Sequence, residues 1–99
     1  MNYQFHPKAA GEHYDHVAFY EARLPGLGAD YLAEFEAVMA HICRSSHFYP
    51  KIAEPNIHQA GLKRFPFHVI YRVESTQVLV LAIAHQCRRP VYWSGRVLK

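Results

Sequence analysis

Ninety-nine residues, 51% of them hydrophobic, 14% aromatic and 19% charged, suffice for one domain with one core and exclude both a two-domain chain and a disordered one. The longest apolar run, Val78 to Ala84, is strand-sized, and Met1 to His6 lacks a basic segment leading into an apolar stretch, so the expectation is a cytoplasmic protein without a membrane span or secretory signal. The net charge of +3 hides a division: residues 1–50 carry three basic and six acidic groups (−3), residues 51–99 eight basic and two acidic groups (+6), which predicts an acidic helical side and a basic sheet side.

Tyr3 and Phe5 alternate with Asn2, Gln4 and His6 as in a short strand, and Pro7 both ends it and suits the first turn of a helix. From Lys8 to Leu24 the spacing becomes helical, with Ala10, Tyr14, Val17, Ala18 and Leu24 as the expected buried stripe. Pro25-Gly26-Leu27-Gly28 breaks that helix and reverses the chain. Leu27, Tyr31, Leu32, Phe35, Val38, Met39 and Ile42 then follow steps of three and four, predicting a second amphipathic helix from about Ala29 to about Arg44. A connection this short makes the two helices an antiparallel hairpin over residues 8–45.

Pro50 and Pro55 predict a loop, Ile57 to Phe65 a strand kinked at Gly61, and Phe67 to Val73 an alternating strand. Glu74-Ser75-Thr76-Gln77 reads as a hairpin turn. Val78 to Ala84 is apolar on both faces, as a central strand is when helices cover one side and a tail or partner covers the other. The predicted fold class is α+β: an N-terminal strand and an antiparallel helical hairpin on a small, mainly antiparallel sheet of three to five strands. One domain spans 1–99, with its C-terminal sheet over about 56–96.

The densest polar cluster runs from His85 to Arg96, directly after the central strand. Its arginines, Arg88, Arg89 and Arg96, can clamp phosphates or carboxylates, and Tyr92 and Trp93 can stack on bases or anchor a partner, with Trp93 as a core aromatic capping the sheet the alternative. Lys63 and Arg64 form a second basic patch before Phe65-Pro66-Phe67. Cys43 and Cys87 form no CxxC pair and read as two reduced thiols, with a single disulfide as the alternative. His13 and His16, with Glu12 and Asp15, begin a ligand set without HExxH, CxxC or a third ligand at motif spacing, so neither metal nor cofactor is predicted. Metal-free RNA cleavage requires a base for the 2′-hydroxyl, an acid for the leaving oxygen and a cation at the phosphate; His68, His85, Tyr92 and Arg88 are the candidates.

The ordered set Phe5-His6-Pro7, Ala9, Glu12, Tyr20, Pro25 to Gly28, Phe35, Tyr49 to Ile52, Leu62 to Phe67, Tyr71, Ala82 to His85, Arg88 to Trp93 and Arg96 resembles the RelE/ParE toxin superfamily, in particular its ParE-like, plasmid-stabilisation branch. The resemblance spans almost the whole chain. It implies a β-α-α-β-β-β toxin of a type II toxin–antitoxin system, wrapped by the C-terminal segment of a cognate antitoxin. Ribosome-dependent nucleases of the superfamily carry arginine where this chain has His68, another arginine near Cys87 to Arg89, and a tyrosine near Tyr92 or Trp93; His58 also stands where many relatives carry arginine. The resemblance therefore implies inhibition by binding a protein target, DNA gyrase, with Lys63, Arg64, Arg88, Arg89, Trp93 and Arg96 contacting target or antitoxin. The alternatives are a metal-independent nuclease acting on messenger RNA at the ribosome, and an inactive or regulatory member.

Overall fold

The computed structural model describes residues 1–97; Leu98 and Lys99, the end of the predicted 1–99 domain, lie outside the described residues. Strand β1 (Asn2–Phe5) leads into helices α1 (Pro7–Arg23) and α2 (Leu27–Arg44), followed by strands β2 (Lys51–Ala53), β3 (Ile57–Gly61), β4 (Phe67–Val73) and β5 (Gln77–His85) and a 3-10 turn at Ser94–Arg96. The sheet order is β1-β5-β4-β3-β2, with β1 parallel to β5 and the other pairs antiparallel. The predicted fold class stands, and no described helix is long and apolar enough to cross a membrane.

The α2 stripe is buried as its spacing requires: Tyr31, Phe35, Met39 and Ile42 are inaccessible and meet Val69, Tyr71, Val78 and Val80 of the sheet. The α1 stripe is corrected. Tyr14 and Leu24 are exposed, and the inward face is Ala9, His13, His16, Val17 and Tyr20. This face escapes a hydrophobicity pattern because two of its members are histidines, whose rings stack on aromatic ones: His13 at 5.2 Å from Phe5 and His16 at 4.0 Å from Phe67.

The tight helical turn depends on two glycines. Gly26 has φ +92°, and a Cβ at Gly28 would lie 2.8 Å from the Val17 carbonyl oxygen, so α1 and α2 touch through backbone there. Alanine is the better helix former, yet Gly28→Ala is expected to destabilise the protein by about 2 kcal/mol through overpacking, read as a lower urea midpoint at unchanged slope.

Two strand predictions change. Lys51–Ala53 is not loop but the edge strand β2, paired to β3 through Lys51 with His58 and Ala53 with Ile57. Strand β3 ends at Gly61, and Lys63 to Pro66 form the turn to β4, which Glu34 of α2 holds by accepting from the Lys63 and Arg64 backbone N–H groups and from Arg64 Nε at 3.2 Å.

Strand β5 is apolar throughout because both faces are covered and its alternation is broken by a bulge. Ile70 pairs with Ala82 but Tyr71 with Val80, which leaves Leu81 as the extra residue. Val78, Val80 and Ile83 face the helices; Leu81 and Ala82 join Ile57, Ile70 and Trp93 in a second core on the opposite face. The predicted tail cover is thus the chain's own C-terminal segment, since the strands end at His85 and the residues after it fold back over the sheet.

Beyond Phe5, β1 no longer pairs with β5, and side chains take over the free edge. The Ile83 N–H donates to Glu12 Oε1 at 3.0 Å, His16 Nε2–H donates to the Ile83 carbonyl at 3.0 Å, and Arg96 Nη1 donates to the Leu81 carbonyl at 2.8 Å. Helix α1 is thereby hydrogen-bonded, as well as packed, to the central strand.

Candidate functional site

The segment after β5 is built from tight local hydrogen bonds. The Cys87 N–H donates to His85 Nδ1 (3.0 Å), the Arg88 N–H to the His85 carbonyl (2.8 Å) and the Gln86 N–H to the Pro66 carbonyl (2.9 Å). Val91 sits at φ +53°, a left-handed conformation that a β-branched residue adopts only at a cost. That reversal, directly after Pro90, returns Tyr92 and Trp93 to the sheet.

A cleft of about 380 Å³ opens between this segment and the tail-covered sheet face. His68, His85, Arg88, Arg89, Tyr92 and Trp93 all border it, although the His85 ring itself turns to the other face of the sheet. Their states differ. Trp93 is 5% exposed and belongs to the second core, turned inward rather than toward a partner. As the only tryptophan it reports this directly: its emission is expected to resist iodide quenching in the folded protein and to shift red on unfolding, and Trp93→Ala is expected to cost about 3 kcal/mol.

The Tyr92 hydroxyl donates to Glu12 Oε2 at 2.9 Å, and burial together with that carboxylate pushes its pKa up to about 12. A phenol held this way is a poor acid at neutral pH. The Arg88 guanidinium lies over the Tyr92 ring, 3.9 Å from its centroid, with its N–H groups free of any acidic partner among the described residues. His68 Nδ1 is buried without a hydrogen-bond partner, 3.4 Å from where a Cβ at Gly61 would sit. The His85 ring packs edge-on against Phe67, 5.5 Å between centroids, on the helix side of the sheet.

Arg96 is consumed by the fold. Its Nη2 donates to Glu12 Oε2 at 2.9 Å and its Nη1 to Glu12 Oε1 at 3.2 Å, with the two side chains only 11% and 16% exposed. Burial raises the Glu12 pKa, but the donors from Arg96, Ile83 and Tyr92 outweigh it, and the net shift is downward. Lys63 and Arg64 lie elsewhere, on a groove of about 740 Å³ between α2 and the turn after β3, floored by Ala33, Ala37 and Val38 and walled by Phe48, which is 71% exposed. Arg64 is paired with Glu34 there, whereas the Lys63 side chain has no ion-pair partner among the described residues.

Sequence reasoning passed over Gln59 and took Ile52 only as a motif position, though both line the cleft, and it weighed Glu12 only as a motif position and beside His13 and His16. Only the strand register, which sets β3 and β2 beside β4, brings the first two to it. Cys43 and Cys87 are free thiols, and no group of three or more His, Cys, Asp or Glu gathers as a metal site among the described residues.

No family model matches the sequence, and no curated protein matches it. Among solved structures, a chain described as "Chromosomal ParDE TA system from P. aeruginosa" is similar with a TM-score of 0.71, covering 86% of this chain and 95% of that one at 18% identity. The chain has a ParE-like fold. The likeness is one of backbone architecture, so the roles of side chains on this ParE-like fold rest on the geometry above.

Proposed function

We propose that this chain is the toxin of a type II toxin–antitoxin pair, a cytoplasmic growth inhibitor that acts by binding a protein target, DNA gyrase, and is neutralised by a cognate antitoxin. The observation that carries the reading is the likeness along nearly the full length of both chains to a ParDE system chain, joined to Arg88 and Arg89 at the end of the central strand, which make no ion pair among the described residues. The α2 groove supports the antitoxin part. An apolar floor, an exposed Phe48 and the free cation of Lys63 suit a peptide segment with apolar side chains and an acidic residue.

Binding is favoured over catalysis by the state of Tyr92. Its hydroxyl is committed to Glu12 and its pKa is raised to about 12, so the acid a nuclease needs is tied up. The convergence of His68, Arg88 and Tyr92 on one cleft keeps the nuclease as the second reading. Induction with and without the partner gene separates them, with supercoiling and transcript cleavage followed in parallel. The proposal expects growth arrest relieved by the partner, inhibited supercoiling and uncut transcripts. Cleaved transcripts with normal supercoiling favour the nuclease, and no arrest overturns the toxin reading.

A further inference from the structure

Outside the cleft, a pocket of about 400 Å³ forms where the start of α1 meets the C-terminal segment, lined by His6, Lys8, Arg88, Arg89, Arg96 and Gly95 with the side of Tyr92. Lys8 and Arg89 are about eighty positions apart in sequence, and only the return of the tail over β5 brings them to one concavity. No acidic residue lines it among the described residues. Glu12, the nearest acid in the network, is already matched to Arg96. Lys8, Arg88 and Arg89 make no ion pair among the described residues, so three cations share one concave surface without neutralisation.

The arrangement opposes elementary helix electrostatics. Helix α1 has no acidic residue in its first turn and places Lys8 there, against the positive end of the dipole. His6 registers the same field: burial, then Arg96 and Lys8, push its pKa down. Such a concentration of like charge at a helix start disfavours the unliganded fold and is relieved by an anion. The Arg88 guanidinium already rests over the Tyr92 ring, 3.9 Å from its centroid, so part of the ordering that an anion would require is made in advance.

We infer that this pocket binds a phosphate dianion, free or as the terminal phosphate of a nucleotide, between Lys8, Arg88 and Arg89. Three unpaired cations exceed what one carboxylate neutralises, and planar guanidiniums with an ammonium suit a tetrahedral group with several acceptor oxygens. Gly95 stands in the wall with open space where its Cβ would be, so a side chain can be added beside the pocket without displacing the fold. The inference is independent of the toxin reading, since it concerns a ligand and is read by binding and melting rather than by growth.

The test is calorimetric titration and thermal unfolding of the untagged full chain with inorganic phosphate, adenosine 5′-monophosphate and adenosine, against chloride and glutamate at matched ionic strength. Phosphate and the nucleotide are expected to bind saturably and raise the melting temperature, while adenosine, chloride and glutamate do not. Tighter binding of the nucleotide identifies the attached-phosphate source, and equal binding identifies free phosphate. Lys8→Gln, which removes one charge-assisted contact, and Gly95→Glu, which sets a carboxylate beside the anion, are each expected to weaken phosphate binding about tenfold. Lys8→Gln is also expected to raise the melting temperature of the unliganded protein, because it removes a cation from the helix start. Glutamate or chloride acting as strongly as phosphate overturns the inference, as does phosphate binding that survives both substitutions.

Discussion

Glu12→Ala is expected to lower the melting temperature by roughly 15 °C, corresponding to about 3 kcal/mol in a domain of this size. The size follows from what the carboxylate holds. It accepts from the Ile83 N–H, the Tyr92 hydroxyl and both terminal nitrogens of Arg96, and so joins α1, the free edge of β5 and the C-terminal turn. Its removal leaves a guanidinium 11% exposed without a counter-charge. Glu12→Gln keeps an acceptor for the Ile83 N–H and is expected to cost less. In the double variant Glu12→Ala/Arg96→Ala the two losses are expected to be strongly sub-additive, because the orphaned charge is gone as well. Additive losses would show that the pair is not coupled as the geometry requires.

The same network sets the acid limb of stability. A carboxylate with a folded-state pKa below its ordinary 4.5 contributes stability above that value and loses it as pH falls toward the folded pKa. His13 and His16, pushed down by burial from 6.5, add an earlier step of the same sign, because stability they contribute above 6.5 is lost as the rings charge below it. Urea midpoints measured from pH 7 to pH 3 are therefore expected to fall in two stages. The second stage is expected to flatten in Glu12→Gln.

What the sequence made legible divides along the source of each residue's environment. Helix α2 was readable because Tyr31, Phe35, Met39 and Ile42 are apolar, evenly spaced and buried by one surface. Helix α1 was misread because its inward face bonds as well as packs. Glu12 and His16 point inward to satisfy Ile83, a backbone group left free only because β1 stops at Phe5, and that end is a tertiary fact. Strand β2 has three residues between prolines, too few for any period to declare itself. The doubly apolar β5 does predict cover on both faces, and Trp93, with Tyr92 and Val97 packed beside it, supplies the second.

The charge split sharpened in the same way. Four basic residues of the second half are neutralised: Lys51 by Glu54, Arg64 by Glu34, Arg72 by Glu74 and Arg96 by Glu12. Two of those acids come from the helices, so the acidic half is spent partly in holding down the basic half. The cations at the strand end without an ion pair among the described residues are Arg88 and Arg89, and no property of the sequence separates them from Arg96. Only the position of Glu12 does.

That distinction gives the functional prediction with the largest effect. If the toxin acts by binding, Arg88→Glu/Arg89→Glu is expected to abolish growth arrest and weaken the target complex about 100-fold or more, the loss expected when two unpaired interfacial arginines are reversed. The fold is expected to survive, since neither side chain makes an ion pair within the chain among the described residues and Arg88 loses only its contact with the Tyr92 ring. Tyr92→Phe is expected to leave arrest intact at a cost of about 1 kcal/mol in stability, because the hydroxyl it removes serves Glu12 rather than the cleft. His68→Ala is likewise expected to retain arrest. A nuclease gives the opposite order: Tyr92→Phe and His68→Ala remove groups that move protons and eliminate cleavage, with a loss of about 100-fold or more for each. Arrest that survives the double charge reversal but disappears with Tyr92→Phe would move the action from capture at the arginines to catalysis in the cleft.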